Sequence, residues 1–351
     1  MLLADRARFP RDKPCGGGLT GRALRNLPCD VDPVVEHVVD RFRIRLRYGR
    51  CFERRHSVPL ILLTQRRRLD LYLAEQAAAA GATFRDGVKV TDLELTDTHA
   101  LARVGGDLVH AETLVGADGA NGVVARAAGL GDCIVSGVAL EGNVAYEAMD
   151  RLSYDRTAAI ELGVVPGGYG WVFPKGDHAN LGVGGWAGEG PRLRDHLARL
   201  ALKHNVDPTD LHDLRGHRLP MRPLGACPAD GRVLLVGDAA GLVDPLSGDG
   251  MYEAFVSARL AAEAIVSSDL SAYAERLSAA LDHHARASWT AKHALDRSAT
   301  ACFWAARVPG VFGLVAGLLA GDVRHPSEAR GLARPPLRAL ARLGRAATPP
   351  V

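Results

Sequence analysis

Gly237 to Gly250, Gly-Asp-Ala-Ala-Gly-Leu-Val-Asp-Pro-Leu-Ser-Gly-Asp-Gly, mixes small residues with carboxylates. It follows the apolar run Arg232-Val-Leu-Leu-Val236 and precedes a segment with helical spacing near 250–266. Small residues let a backbone approach a flat ligand closely. A helix beginning there offers free N–H groups and about half a unit of positive charge, which suits the electron-rich edge of a reduced ring. Asp238 is then placed to accept hydrogen bonds from a polyol. In Arg11-Asp-Lys-Pro-Cys-Gly-Gly-Gly-Leu19, the glycines after Cys15 allow the chain to pass close over a ring. In Gly167-Gly-Tyr-Gly-Trp-Val-Phe-Pro174, Tyr169, Trp171 and Phe173 offer an aromatic wall to an apolar ligand. Each run also has a bland reading: a strand-to-helix turn, a surface turn, a strand with core aromatics.

The elements that must carry these residues are mixed rather than segregated, which predicts an α/β or α+β architecture. No internal repeat is visible. Leu69, Tyr72, Leu73, Gln76, Ala77 and Ala80 fall at helical spacing and predict a helix over 66–80, stopped by Gly81. Segments 88–95, 100–104 and 107–116 read as short strands, the last a buried one delivering Asp118 to a loop. Alternation at Val138, Leu140, Val144 and Tyr146, at Ile160, Leu162 and Val164, and at Leu181 and Val183 predicts antiparallel strands over 136–186, the wall of a cavity. The last third reads as mostly helical.

With 351 residues, 47% hydrophobic, the chain can bury one large core or two intertwined domains. A net charge of +3, with basic residues dispersed, argues against a nucleic-acid partner. Cys15, Cys29, Cys51, Cys133, Cys227 and Cys302 show no zinc or disulfide spacing, so they are expected to be reduced thiols in a cytoplasmic protein. His283 and His284, without a carboxylate or thiol at metal spacing, are expected at the surface, and no metal is expected. Met1-Leu-Leu-Ala-Asp5 is too short an apolar run for a signal peptide. The apolar stretch 308–320 falls short of the roughly 20 residues that span a bilayer. Beyond it, Arg324, Arg330, Arg334, Arg338, Arg342 and Arg345 face a single acid, Glu328. Such a tail suits an anionic lipid surface, giving peripheral contact with the inner face of a membrane, or forms a solvated helix with a frayed Thr-Pro-Pro end.

The 237–250 run resembles the second flavin-contacting motif of hydroxybenzoate-hydroxylase-like flavoproteins, in which the aspartate holds the ribityl chain. The Lys13-Pro-Cys-Gly-Gly-Gly18 run resembles the K-x-C-G-G-G signature of the geranylgeranyl reductase family, and Tyr169-Gly-Trp-Val-Phe-Pro174 their Y-x-W-x-F-P segment. The resemblance implies FAD as cofactor and saturation of carbon–carbon double bonds in an isoprenoid chain on a lipid, quinone or chlorophyll precursor. It implies flavin or nucleotide contacts at Asp5, Lys13, Cys15, Gly16, Gly17, Gly18, Arg66, Asp118, Gly237, Asp238, Pro245, Gly248, Asp249 and Gly250. Substrate contacts are implied at Tyr169, Trp171, Phe173 and Pro174. Asp118-Gly119 is similar to the family's D-G motif, but Gly122 stands where serine is usual.

The implied fold is a Rossmann-like FAD-binding domain with an inserted antiparallel-sheet substrate domain and a helical C-terminus. Its expected boundaries are 1–130 (with 42–62 joining the substrate sheet), 131–225, a returning segment 226–266, and 267–351. Family members begin with a strand and G-x-G-x-x-G, whose helix N-terminus holds the pyrophosphate. That motif is not in this sequence. Met1 to Asp5 resembles the domain's second strand, with Asp5 at the adenosine ribose, so the chain is expected to start roughly thirty residues late. Losing a few charged hydrogen bonds, about 1.5–3 kcal/mol each, would weaken cofactor binding ~1,000-fold or more. An isolated alkene needs a proton as well as a hydride, and Cys15 is the candidate donor, though an ordinary thiol is a poor acid for it. NAD(P)H and ferredoxin both remain open as electron donor. Two rivals stay open: a flavin monooxygenase or halogenase, although halogenases carry W-x-W-x-I-P where this chain has only Trp171-Val-Phe-Pro174, and a non-catalytic lipid-binding remnant.

Overall fold

A computed structural model describes residues 1–345 except 97, 131–133, 226 and 324. Cys133, Arg324 and the Thr-Pro-Pro terminus therefore lie outside the described residues. The fold is mixed α/β. Its centre is a seven-stranded sheet in the order His212–Met221, Val135–Ala145, His178–Trp186, Tyr169–Pro174, Thr157–Leu162, Arg41–Leu46, Cys51–Arg55. Neighbours are antiparallel except Thr157–Leu162 against Arg41–Leu46, which run parallel.

Period-two alternation gives this sheet two faces. Leu140, Val144, Val172, Leu181 and Val183 point to the back, where the Leu193–Lys203 helix lays down Leu193, Leu197, Leu200 and Ala201. Leu181, Leu200 and Val183 are fully buried. Each such side chain stabilises the fold by about 1.5–3 kcal/mol relative to exposure. The front face carries Glu141, Asn143, Asn180, Tyr169, Trp171, Phe173 and His217, and it looks towards the glycine-rich loops. Near its Arg41–Leu46 end the same face packs Phe42, Ala158 and Ile160 against Phe312 and Ala316 of the Pro309–Ala320 helix.

The second layer is assembled from short parallel pairs. Leu2–Ala4 lies beside Thr83–Arg85, which follows the Arg66–Ala79 helix. Leu114–Gly116 lies beside the fully buried Val233–Leu235. The stretch expected as one strand over 107–116 is two, Asp107–Ala111 in a meander and Leu114–Gly116 in this layer. Nor is the latter a buried strand, since Val115 is 39% exposed because its strand has a neighbour on one side only. Arg41–Leu46 and Cys51–Arg55 join the large sheet, whereas Ile61–Leu63 pairs with Gly18–Thr20 and His37–Val39. The Met251–Val266 and Ala272–Arg297 helices cover the layer, and the Tyr273 hydroxyl donates to the Leu235 carbonyl at 2.6 Å.

Among the described residues no single helix is long and apolar enough to cross a membrane. Ala299–Ala306 and Pro309–Ala320 pass such a test only as a pair bent by 90°. The last described helix, Arg334–Arg345, rests on Ala272–Arg297 through Gly344, where an added Cβ would lie 2.0 Å from the Thr290 carbonyl. It leaves Arg334, Arg338, Arg342 and Arg345 exposed.

Candidate active site

Three chain segments far apart in sequence meet over the front of the large sheet. Val233–Leu235 ends at Asp238, whose carboxylate takes Lys13 Nζ at 2.9 Å and lies 3.1 Å from His217 Nε2. Burial alone would raise this carboxyl. The His217 hydrogen bond and the Lys13 ammonium outweigh it and hold Asp238 well below the usual carboxylate range. Lys13 begins the glycine loop, in which Cys15 donates its backbone N–H to Glu141 Oε1 at 2.8 Å and accepts from the Gly17 N–H at 3.3 Å. Gly17 has φ +68°, and a Cβ there would sit 2.0 Å from the Thr64 carbonyl. Only glycine fits. Lys175, 2% exposed, donates to the carbonyls of Gly16 and Thr64, the latter at 2.8 Å, and burial lowers it to about 8.

The aromatic strand faces this loop. Trp171 lies flat over Gly182, where a Cβ would come within 2.0 Å of its ring, and Phe173 covers Gly16 in the same way at 2.8 Å. Trp171 Nε1 donates to Asn180 Oδ1 at 2.8 Å, and Asn180 Nδ2 donates to Asn143 Oδ1 at 3.1 Å. Asn180 also hydrogen-bonds Glu141, so a polar row runs from the indole to the Cys15 loop. Burial raises the Glu141 carboxyl above its ordinary value, against the lowering effects of the Cys15 N–H and Lys175. The Tyr169 hydroxyl donates to the Ser247 carbonyl, tying the aromatic strand to the Pro245–Gly250 loop. That loop opens the Met251–Val266 helix, whose N-terminus has no side-chain cap at Gly250.

The structure brings Lys13, Cys15, Gly16, Gly17, Tyr169, Trp171, Phe173 and Asp238, from three separate segments, to the front of the large sheet. Pro174 is a correction. It pairs with Ala179 and falls on the back face beside Val172, because only every second residue of a strand shares a face. Asp5 and Arg66 are drawn into a chain of ion pairs: Arg11 bridges Asp5 at 3.1 Å and Asp70 at 2.9 Å, and Arg66 takes Asp70 at 2.7 Å while reaching the Cys15 thiol. Asp118 accepts the N–H groups of Val123 and Val124 at 2.6 and 3.0 Å, closing its own turn. A Cβ on Gly122 would lie 2.1 Å from Asp118 Oδ1, which accounts for glycine where serine is usual. His284, expected at the surface without a partner, is half-buried with Nε2 3.5 Å from Asp244 Oδ2, because the long Ala272–Arg297 helix turns it inward. Glu141, Lys175, Asn180 and His217 were missed. Polar residues at the in-facing positions of alternating strands were the available signal for Glu141, Asn180 and His217.

The residues fit a flavin at its ring end. The start of the Met251–Val266 helix, where Asp249 Oδ1 takes the Met251 N–H at 3.0 Å, suits an electron-rich ring edge, and Gly16 and Gly17 bring the backbone close. Asp238, already deprotonated and flanked by Lys13, suits a hydroxylated chain. At the nucleotide end, Asp5 and Arg66 neutralise Arg11 and Asp70 instead of standing free.

No family model matches the chain. It is 30% identical to the geranylgeranyl diphosphate reductase of Rhodobacter capsulatus, over 75% of this chain and 68% of that one. It is also 30% identical to the menaquinone reductase of Mycolicibacterium smegmatis, over 81% and 75%. Against the chloroplastic geranylgeranyl diphosphate reductase of Arabidopsis thaliana, 30% identical, it spans 60% of the relative's length. Among solved structures, a geranylgeranyl bacteriochlorophyll reductase-like protein of Thermoplasma acidophilum superposes with a TM-score of 0.76 at 23% identity, covering 97% of this chain and 92% of that one. A flavin-dependent brominase superposes with 0.75 at 18%, over 98% and 92%.

Proposed function

The chain belongs to the geranylgeranyl reductase family, and from that premise we propose that it is an FAD-dependent oxidoreductase that saturates double bonds of an isoprenoid chain carried by a lipid or quinone. The observation that carries this reading is the convergence of the Lys13–Gly18 loop, Asp238 and the aromatic strand over one face of the large sheet.

Bound and reduced, the flavin would supply a hydride, which carries both electrons, to one alkene carbon, and the other carbon needs a proton. Everything else falls to the protein. Lys13 and His217 keep Asp238 ionised so that it accepts from a polyol. Lys175 fixes the glycine loop by holding the Gly16 and Thr64 carbonyls together. Tyr169 holds the helix-opening loop against the sheet. The carboxyl of Glu141, kept protonated to higher pH by burial, is the group that gives the proton, a better acid for the task than a thiol. An apolar tail needs few polar contacts, since each buried methylene contributes about 0.8 kcal/mol. The exposed arginines of Arg334–Arg345 support contact with an anionic lipid surface, from which such a tail would be drawn.

The test is purification with FAD followed by incubation, under a chemical reductant, with a geranylgeranyl lipid or menaquinone. Flavin absorbance and a mass gain of two hydrogens per saturated bond are expected. Asp238→Ala should lose flavin, while Glu141→Gln should keep it and slow reduction about 10²–10⁴-fold. Bound flavin with oxygenated or unchanged isoprenoid would overturn the reductase reading.

A further inference from the structure

At the start of the Met251–Val266 helix, beneath the loop that Tyr169 ties to the large sheet, Asp244, Glu253 and His284 bring two carboxylates and an imidazole together. One ligand atom from each lies within 4.8 Å of the other two. They come from three elements: the 241–250 loop, the Met251–Val266 helix and the Ala272–Arg297 helix. Asp244 is 4% exposed and Glu253 5%. Asp244 Oδ1 is used, accepting the N–H groups of Leu246 and Ser247 and the Ser247 hydroxyl. Its Oδ2 has only the His284 imidazole, 3.5 Å away and beyond a good hydrogen bond, and neither oxygen of Glu253 has a partner. A buried carboxylate left unpaired is costly, and such oxygens call for a ligand. A cleft bounded by Leu242, Pro245, Leu281 and Trp289 opens onto the three side chains and gives an ion or water a way in.

Charge points the same way. The half-buried Asp249 adds a third carboxylate, and the guanidinium of Arg22 is the cation that acts on all three. Arg222 is paired with Asp282 at 3.0 Å, and Lys292, which acts on Asp244 from further away, donates to the Gly167 carbonyl at 2.7 Å. With a neutral imidazole, and with Lys292 set first against Asp296, the three carboxylates against Arg22 leave the cluster two positive charges short. Two protons could supply them, and burial does raise Glu253 well above the ordinary carboxyl value and Asp249 above it. One divalent cation supplies both at once and also engages all the unpaired oxygens.

We propose that Asp244, Glu253 and His284 form a binding site for a first-row divalent metal ion, made of residues other than those assigned to the flavin and substrate. Two carboxylate oxygens and an imidazole nitrogen suit Mn²⁺, Co²⁺ or Zn²⁺ better than Ca²⁺, and the cleft leaves room for water as a further ligand. Ligand bonds of about 2.0–2.2 Å require the three side chains to draw inward from their present spacing. Arg22 Nη1, now 2.7 Å from His284 Nε2, must give up that nitrogen, but its guanidinium keeps its place 4.4 Å from the centre of the Tyr252 ring. The ion would pin the flavin-side loop to two helices, so its effect is structural.

The test uses the full chain, stripped with EDTA and free of flavin, titrated with CoCl₂ and, by calorimetry, with MnCl₂ and ZnCl₂. One equivalent should bind, with visible Co²⁺ bands and a rise in Tm, and Ca²⁺ should bind at least tenfold more weakly than Zn²⁺. Glu253→Gln and His284→Ala should each weaken binding at least tenfold. If Glu253→Gln does not fold, the half-buried His284→Ala still decides. No saturable binding in the wild type, or equal binding in the His284→Ala protein, would overturn the site. Neither flavin nor isoprenoid enters the assay, so its outcome is independent of the reductase reading.

Discussion

The unpaired carboxyl of Glu253 also sets a pH dependence in the metal-free protein. Its proton is held more tightly in the folded chain than in the unfolded one. Above the ordinary glutamate value of about 4.3, the native state therefore binds more protons than the unfolded state, and stability falls as pH rises. Below that value both states are protonated and the penalty vanishes. Glu253→Gln cannot ionise. In EDTA it should match the wild type near pH 4 and exceed it at pH 8 by roughly 2–4 °C in Tm for each kcal/mol recovered, read by thermal melts at the two pH values. Equal gains at both would mean that the residue acts through packing rather than charge. Residues of this kind are poorly legible in a sequence. Asp238 and Cys15 announce themselves through the glycines around them, whereas Glu253 and His284 meet only because two helices pack at a particular angle. Glu141 and Lys175 likewise become neighbours of the Cys15 loop only once the sheet register is known.

The strand is the unit that turns such residues into a site. His178–Trp186 carries Asn180 and Gly182 on its front, and Gly182 pairs with Trp171 on the next strand. The indole occupies the space a side chain would fill, so strand register, hydrogen bond and aromatic wall depend on one absent methyl group. Gly182→Ala should push Trp171 off its seat, break its bond to Asn180 and destabilise the chain by about 1–3 kcal/mol. A lower denaturation midpoint with a reduced near-ultraviolet dichroism signal would show it, and an unchanged signal would contradict the close contact. Alternation made these strands legible, and helical spacing did the same for Arg66–Ala79. What alternation could not give was partnership: the parallel pairing of Arg41–Leu46 with Thr157–Leu162 joins segments more than a hundred residues apart.

Across the whole molecule, the large sheet is well covered and the second layer is not. Among the described residues, Leu2–Ala4 and Leu114–Gly116 each pair on one side only, with Leu2 36% and Val115 39% exposed. Parallel strands are ordinarily buried on both faces, and an open edge is a template for another chain. The protein should associate in a concentration-dependent way, and Val115→Lys should suppress this in light scattering behind size exclusion without altering the far-ultraviolet spectrum. A wild type that stays monomeric at high concentration would show that these edges are protected. The mixed architecture could be read from the interleaving of strand and helix signals. The open edges could not, since edge exposure is a property of neighbours rather than of the strand itself.

The pair between Lys13 and Asp238 spans 225 residues. At the pace of protein synthesis, ~5–20 residues per second, the glycine loop would wait on the order of ten to fifty seconds before its anchoring carboxylate existed. Through that interval the three glycines have nothing to settle against at Asp238. The front of the sheet thus cannot close on its anchoring carboxylate until more than two hundred residues have followed the loop, although the helices that cover the second layer are made later still.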